Sequence, residues 1–257
     1  MRAGRPMPGL SRPAGPGREE PELIANPGLT AAITVVTIAL TAGVFAAVAD
    51  HGALASIQRL DNAWLRLMIS GRTTLVTDIA KVFNLLGLVY VTLPVRIAVA
   101  GFLIWRRRWW SLAAFVTAIA LSELLIGVLK GAYSRPRPPA SLVATTGTSF
   151  PSGHAIAASV TAVAAVIVLV PAGRRAWWAA AAVAFSILMG LSRAYLGAHW
   201  LSDAVAGILL GTSCALLAAL VVGELQRRIR RRPPPGVAQR PAASPPPDRA
   251  GRRRGPP

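Results

Sequence analysis

The sequence contains a single cysteine, Cys214, which excludes an intramolecular disulfide bond and makes a thiolate metal cluster implausible. Charged residues are also scarce, since Asp, Glu, Lys and Arg together make up 15% of the 257 residues. Only Lys81 and Lys130 are lysines. With 53% hydrophobic residues, the chain is more apolar than an average soluble domain, which favours a membrane protein.

The charges that are present are unevenly distributed. The formal net charge is +18, and residues 224–257 carry ten arginines against Glu224 and Asp248. Arginines next to a membrane span attract anionic lipid headgroups, so this tail does not require a nucleic-acid partner. We therefore expect membrane lipids, and no nucleic acid, among the partners. The sequence does not indicate a protein partner.

Long apolar segments occupy the middle of the chain. A helix needs about 20 apolar residues to cross ~30 Å of hydrocarbon. Before the second span, apolar residues at helical spacing from Ile57 to Met68 predict an amphipathic helix in the membrane interface. The predicted fold is an all-α integral membrane bundle of six transmembrane helices, at about 29–49, 87–105, 112–130, 154–170, 176–193 and 201–223.

The two ends of the chain differ in composition from the membrane domain, which is assigned to residues 29–223. Residues 1–28 and 224–257 are rich in Pro and Arg, which predicts disorder. Arginine clusters at 106–108, 174–175 and 227–232 flank alternate ends of the spans. By the positive-inside rule this side is cytoplasmic, so both termini of a multi-pass plasma-membrane protein are expected in the cytoplasm.

Several polar residues lie at the opposite, extracytoplasmic ends of the spans. Since successive spans alternate in direction, these ends are expected to meet at one face of the membrane. They comprise Lys130 at the end of the third span, Ser152-Gly153-His154 at the start of the fourth, Arg193 at the end of the fifth, and His199 and Asp203 at the start of the sixth.

These residue types suit a phosphate group. Lys130, Arg137 and Arg193 offer charged donors to phosphate oxygens. Ser152 and Gly153 begin a helix, whose free N–H groups and positive dipole end favour an anion, and glycine has no side chain to hinder its approach. Arg135 either contacts a second phosphate of a diphosphate or faces water.

The histidines suit acid–base and nucleophilic chemistry. His199 and Asp203 are four residues apart, so on a helix they share a face. A carboxylate there can keep one imidazole nitrogen protonated and leave the other as a nucleophile. His154, on another helix, can donate a proton to the leaving group and then accept one from water.

Three blocks, Lys130-x6-Arg137-Pro138, Pro151-Ser152-Gly153-His154 and Ser192-Arg193-x5-His199-x3-Asp203, resemble the three-part signature of the type 2 phosphatidic acid phosphatase superfamily. That superfamily also includes vanadium-dependent haloperoxidases and bacterial acid phosphatases. The resemblance implies a six-span hydrolase that needs no metal and no other cofactor. It implies that His199 is the nucleophile, Asp203 its partner and His154 the acid and base, with phosphate contacts from Lys130, Arg137, Ser152, Gly153 and Arg193.

The resemblance also implies a lipid phosphate or diphosphate as substrate, hydrolysed through a phosphohistidine. Polyprenyl diphosphate (undecaprenyl diphosphate in bacteria) is favoured by similarity to bacterial members, and phosphatidic acid and phosphatidylglycerophosphate also fit. The alternatives are a lipid phosphotransferase that uses the same histidine and a non-enzymatic transporter or flippase. Against transport, the charges cluster at one surface and no internal repeat is evident.

Two charges lie inside the predicted spans, where charged residues tend to pair. Arg96 and Glu123 reach similar depths on consecutive antiparallel helices, because each residue of a helix rises ~1.5 Å. We predict an ion pair between them. The alternative is that Arg96 snorkels separately while Glu123 is neutral.

Overall fold

The structure, a computed structural model, describes residues 20–231. Most of the ends that were predicted to be disordered, residues 1–19 and 232–257, therefore lie outside the described residues. Within 20–231 the chain is all-helical and contains no β-strand. The helices are α1 Pro27–Ala49, α2 His51–Ser70, α3 Thr74–Leu86, α4 Val89–Trp105, α5 Trp109–Ala132, α6 Gly153–Leu169, α7 Arg175–Tyr195 and α8 Leu201–Arg230, with a 3₁₀ turn, Ala172–Arg174, before α7.

The helices have the length and composition of membrane spans. Four in the described range, α1, α5, α7 with its 3₁₀ turn, and α8, are long and apolar enough to cross a bilayer. Together α3 and α4 form a fifth candidate that is bent by 52°, and α6 is apolar but has 17 residues. The predicted all-α membrane fold is confirmed, and the number of six spans stays a prediction.

The second predicted span differs most from the structure. It was expected to begin at Gly87, but a separate helix, α3, precedes it and ends at Leu86. Asp78, Lys81 and Asn84 interrupt the apolar pattern of α3, which is why hydropathy alone did not reveal it. The interfacial helix predicted from Ile57 to Met68 corresponds to α2, which is longer at both ends.

Residues Glu20–Asn26 pack across the end of the bundle where α5 and α7 begin and α8 ends, and we call them the N-terminal strap. The Glu20 carboxylate accepts hydrogen bonds from the N–H groups of Trp110 (2.9 Å) and Ser111 (2.8 Å), which caps α5. Leu23 and Ile24 are buried. The prediction of disorder is therefore wrong for residues 20–28, and also for 224–230, where α8 continues.

The core of the bundle is formed by the close packing of α6 on α8. A Cβ atom on Gly207 of α8 would lie 2.6 Å from the carbonyl oxygen of Ser152, and one on Gly211 would collide with the hydroxyl of Ser159. The two backbones can approach this closely only because α8 has glycine at both positions. The N–H of Ser152 then donates to the carbonyl of Asp203 (3.1 Å), which joins the first turns of the two helices.

The predicted ion pair between Arg96 and Glu123 is confirmed, but the Glu123 side chain is 57% exposed, so the pair lies at the surface of the bundle and not inside it. Arg96 Nη1 lies 2.8 Å from Glu123 Oε1, which connects α4 to α5. Arg96 Nε also donates to Thr161 Oγ1 on α6, at 3.0 Å. The guanidinium thus links three helices on one side of the bundle.

Candidate active site

The predicted phosphate site lies at the end of the bundle opposite the N-terminal strap. The last turns of α5 and α7 and the first turns of α6 and α8 meet there, together with the connection 133–152 between α5 and α6. Lys130 and Arg137 donate to a common carbonyl, and Arg137 reaches His199. His154 and Arg193 lie close enough to Arg137 and His199 to interact with them electrostatically.

His199 does not lie on a helix, which corrects the sequence prediction. The chain turns between α7 and α8 through Gly197, whose φ of 68° is a left-handed conformation that favours glycine. A Cβ atom there would lie 2.6 Å from the carbonyl oxygen of Ala140. His199 follows in this connection, two residues before α8 begins at Leu201.

The contacts of the imidazole define its tautomer. Nδ1 lies 2.7 Å from the carbonyl oxygen of Ser149, and Nε2 lies 3.2 Å from Nη1 of Arg137. A guanidinium can only donate, so Nε2 is the acceptor, and Nδ1 carries the proton that is donated to Ser149. The lone pair of Nε2 therefore faces the basic side chains.

Asp203 is a neighbour of this imidazole and not its direct hydrogen-bond partner. Its Oδ2 lies 3.7 Å from Nδ1 of His199, beyond a hydrogen bond. The carboxylate is held by the N–H of Trp200 (2.9 Å), by the hydroxyl of Ser149 and by Arg135. The sequence predicted that the Asp203 carboxylate accepts a hydrogen bond from one imidazole nitrogen. In the structure the Ser149 carbonyl accepts the hydrogen bond from that nitrogen, Nδ1.

Burial determines the charge of His199. It lowers the pKa of the imidazole to about 4, although Asp203 opposes the shift; the nearby Arg193 and Arg137 lower the pKa further. His199 is therefore neutral at pH 7, which is the form in which Nε2 is a nucleophile.

Three cations lie in this part of the site, and among residues 20–231 none of them forms a direct ion pair with a carboxylate. Lys130 Nζ and Arg137 Nη2 share the carbonyl oxygen of Thr148, at 3.2 and 3.1 Å. Arg193 is buried and donates to the side-chain oxygen of Asn84. Three neighbouring positive charges whose hydrogen-bond acceptors are all neutral are suited to an anion.

The start of α6 adds uncharged donors to the site. The hydroxyl of Ser152 is buried and has no hydrogen-bond partner within the described residues, although Ser152 occupies the N-cap position. The N–H groups of the first helical turn also lack helical partners. A Cβ atom on Gly153 would lie 3.2 Å from Cδ1 of Ile126, so glycine also relieves a close contact between α6 and α5. The predicted role of Gly153 in the approach of phosphate stays a prediction.

Arg135 binds two buried carboxylates, so the alternative that it faces water is wrong, and the contact with a second phosphate stays a prediction. Its guanidinium forms ion pairs with Asp203 and with Asp61 of α2, both at 2.7 Å. The side chain is only 5% exposed. Asp61 also accepts from the N–H of Ser202 at 3.0 Å, so α2 is joined to the start of α8.

Sequence reasoning missed Asn84, the partner of Arg193, and the carbonyl groups of Thr148 and Ser149. Asn84 is a polar residue in an otherwise apolar segment of α3, which was the available signal. Backbone carbonyls carry no signal in a sequence. In the described residues no group of three or more His, Cys, Asp or Glu side chains is arranged to hold a metal ion.

The membrane bundle, with the His199 imidazole near cations that form no ion pair within the described residues, is that of a membrane-bound phosphatase, a phosphoric ester hydrolase. Residues 111–227 match the family model of the PAP2 superfamily. The matched region includes all three blocks and agrees with their resemblance to that superfamily.

The names of two relatives describe enzymes that act on lipid phosphates. The chain is similar to phosphatidylglycerophosphatase B of Bacillus subtilis (strain 168), with 29% identity over 175 residues, covering 65% of this chain and 84% of that protein. It is also similar to lipid A 1-phosphatase of Rhizobium etli, with 34% identity over 123 residues, 44% of this chain. The match spans half the length of the Rhizobium protein.

Two solved structures share the fold. The crystal structure of a transmembrane PAP2-type phosphatidylglycerolphosphate phosphatase from Bacillus subtilis aligns with a TM-score of 0.65 and 25% identity, over 78% of this chain and 98% of that chain. The crystal structure of Aquifex aeolicus LpxE aligns with a TM-score of 0.53 and 27% identity, over 62% of this chain and 94% of that chain.

Proposed function

We propose that the protein hydrolyses a lipid phosphomonoester through a phosphohistidine formed on Nε2 of His199. The observation that carries the proposal is the environment of this nitrogen. It is unprotonated, it lies 3.2 Å from Arg137, and three cations that form no direct ion pair within the described residues lie in this part of the site. A phosphate group placed there would be bound by charge and would present its phosphorus to the lone pair.

In the first step Nε2 attacks phosphorus, the P–N bond forms and the P–O bond to the lipid breaks. The negative charge of a bound phosphate favours protonation of His154, which then gives this proton to the departing alkoxide. Lys130, Arg137 and Arg193 stabilise the charge on the three equatorial oxygens. The imidazole of His199 is cationic while it is phosphorylated, and Asp203 at 3.7 Å stabilises that charge.

In the second step water attacks the phosphohistidine. His154 accepts the proton of the water molecule, the P–N bond breaks, and inorganic phosphate leaves. His199 returns to its neutral form, in which Nδ1–H still donates to the Ser149 carbonyl. The proposed steps use only side chains of this protein and water.

For the substrate we propose a lipid that carries a single terminal phosphate, such as phosphatidylglycerophosphate. The names of the relatives from Bacillus and Rhizobium support a phosphorylated membrane lipid. Polyprenyl diphosphate, favoured from the sequence, is the competing candidate. It loses support because Arg135, the residue assigned to a second phosphate, is bound to Asp61 and Asp203.

The test is phosphate release by the purified protein in detergent with a chelator present. We expect inorganic phosphate from phosphatidylglycerophosphate, faster than from phosphatidic acid or polyprenyl diphosphate. Quenching turnover in alkaline detergent, with substrate labelled in its terminal phosphate, should trap labelled protein that is stable in base and labile in acid, as a phosphohistidine is. Label that passes to a second lipid would indicate a phosphotransferase, and activity that requires added metal would contradict the mechanism.

We also propose that α1, the bent pair α3–α4, α5, α6, α7 and α8 make six crossings, with α2 in the interface and the site on the extracytoplasmic side. The arginines at the opposite end of the bundle support this orientation. In a Cys214→Ala background, Ala144→Cys near the site should react with a membrane-impermeant maleimide on intact cells. The control Ala172→Cys, exposed at the other end, should react only after permeabilisation. The reverse pattern would overturn the orientation.

A further inference from the structure

The break between α3 and α4 lies at the phosphate site. The helices are bent by 52° relative to each other, and only Gly87 and Leu88 separate them. Irregular backbone at membrane depth is found where it packs against protein or lines a cavity. This break packs against α6 and α7 through contacts with two residues of the predicted site, and none of its residues belongs to the three sequence blocks.

The first contact is between α3 and Arg193. Nη1 of Arg193 donates to Oδ1 of Asn84, one turn before the break. Arg193 is 3% exposed, and its Nε has no hydrogen-bond partner within residues 20–231. The Asn84 amide is therefore the side chain that fixes the direction of this buried guanidinium, and it leaves the remaining donors available for an anion.

The second contact is between Gly87 and His154. A Cβ atom on Gly87 would collide with Cδ2 of the His154 ring and would lie 3.0 Å from Cγ and 3.1 Å from the sulfur of Met189. The Nε2 atom of this ring is buried and lacks a hydrogen-bond partner in the described part of the chain. The backbone of Asn84 interacts with the same ring. The position of the imidazole is thus set by two residues at the break, the backbone of Asn84 and the close contact with Gly87.

We propose that the α3–α4 break is a positioning element of the active site, in which Asn84 orients Arg193 towards phosphate and Gly87 places His154 for proton transfer to the leaving group. The proposal rests on the proposed function. It assigns separate tasks to two neighbouring residues, phosphate affinity to Asn84 and protonation to Gly87, and these tasks can be measured separately.

The first test compares Gly87→Ala with Gly101→Ala. Gly101 lies on α4 with no atom within 4 Å of its ideal Cβ position, so alanine there should leave activity unchanged. The backbone at Gly87 has φ −85° and ψ −7°, which alanine adopts without strain, so the variant is expected to fold. Its methyl group must then displace the His154 ring.

The expected signature of Gly87→Ala is a dependence on the leaving group. An alkyl lipid phosphate needs a proton on its leaving alkoxide, and its kcat should fall by about 10²–10⁴-fold. 4-Nitrophenyl phosphate has a leaving group that departs without a proton, so its hydrolysis should fall less than about tenfold. A proportional loss for both substrates would show a merely structural role and would overturn the proposal for Gly87.

The second test measures anion affinity in Asn84→Ala with orthovanadate, which mimics phosphate, as the probe. We expect inhibition to weaken by about tenfold and KM to rise, because Arg193 loses the contact that orients it. Gly87→Ala should leave vanadate inhibition unchanged. Unchanged inhibition in Asn84→Ala would overturn the role of Asn84. Wild-type protein that hydrolyses neither substrate would instead refute the proposed function itself.

Discussion

Replacement of His199 by alanine is expected to lower kcat for lipid phosphate hydrolysis by about 10⁴-fold or more, because the protein then lacks the atom that attacks phosphorus. The initial rate of phosphate release from a lipid phosphomonoester in detergent checks this expectation. Labelled phosphoprotein should also be absent after quenching in alkaline detergent. The cations that bind phosphate remain, so inhibition of residual turnover by orthovanadate should persist.

His51 provides a matched control for this substitution. It is exposed at the start of α2, and His51→Ala should retain wild-type activity. His199→Asn is a second test variant that fills more of the buried space than alanine, which guards against loss of activity through misfolding. Activity in His199→Asn within tenfold of the wild type would contradict the assignment of the nucleophile.

Replacement of Arg135 by leucine is expected to destabilise the folded protein by about 3–5 kcal/mol, the usual effect of removing one partner from a buried ion pair. Asp61 and Asp203 are nearly fully buried and would both lose their cation. A lower thermal unfolding temperature in detergent is the measurement. Lysine should restore only part of the stability, because an ammonium group cannot reproduce the guanidinium fork.

Arg59→Leu is the control for Arg135→Leu. Arg59 lies on the exposed face of α2 and donates only to the hydroxyl of Ser56, at 2.9 Å. Surface substitutions of this kind usually change stability by less than about 0.5 kcal/mol. Equal unfolding temperatures for the two leucine variants would show that the buried pairs of Arg135 contribute no net stability.

The membrane fold and the convergence of the basic side chains were predictable from the sequence. Apolar segments of helical length revealed most of the bundle, and the alternation of helix direction brought Lys130, Arg193 and His199 to one end. That reasoning needs only the position of each residue relative to a helix end. It was insensitive to errors of a few residues in the helix boundaries, such as the end of α5 at Ala132 instead of Lys130.

The direction of individual side chains was not predictable in the same way. Arg135 and Arg137 are two residues apart in a non-helical segment, yet Arg137 contacts His199 and Arg135 turns towards Asp61, 74 positions away. Their different directions depend on the tertiary position of α2, which the sequence does not show. For the same reason, proximity in sequence suggested Asp203 as the hydrogen-bond partner of His199, whereas the Ser149 carbonyl occupies that position.

Gly207 and Gly211 influence the arrangement of the site residues, although neither glycine belongs to the site. His154 lies on α6, and the segment with His199 leads directly into α8. The distance between the two histidines therefore depends on how closely those two helices pack. Missing methyl groups on α8 allow that fit. The distance between His154 and His199 is therefore set partly by two glycines of α8 that lie about one to three helical turns away from the site.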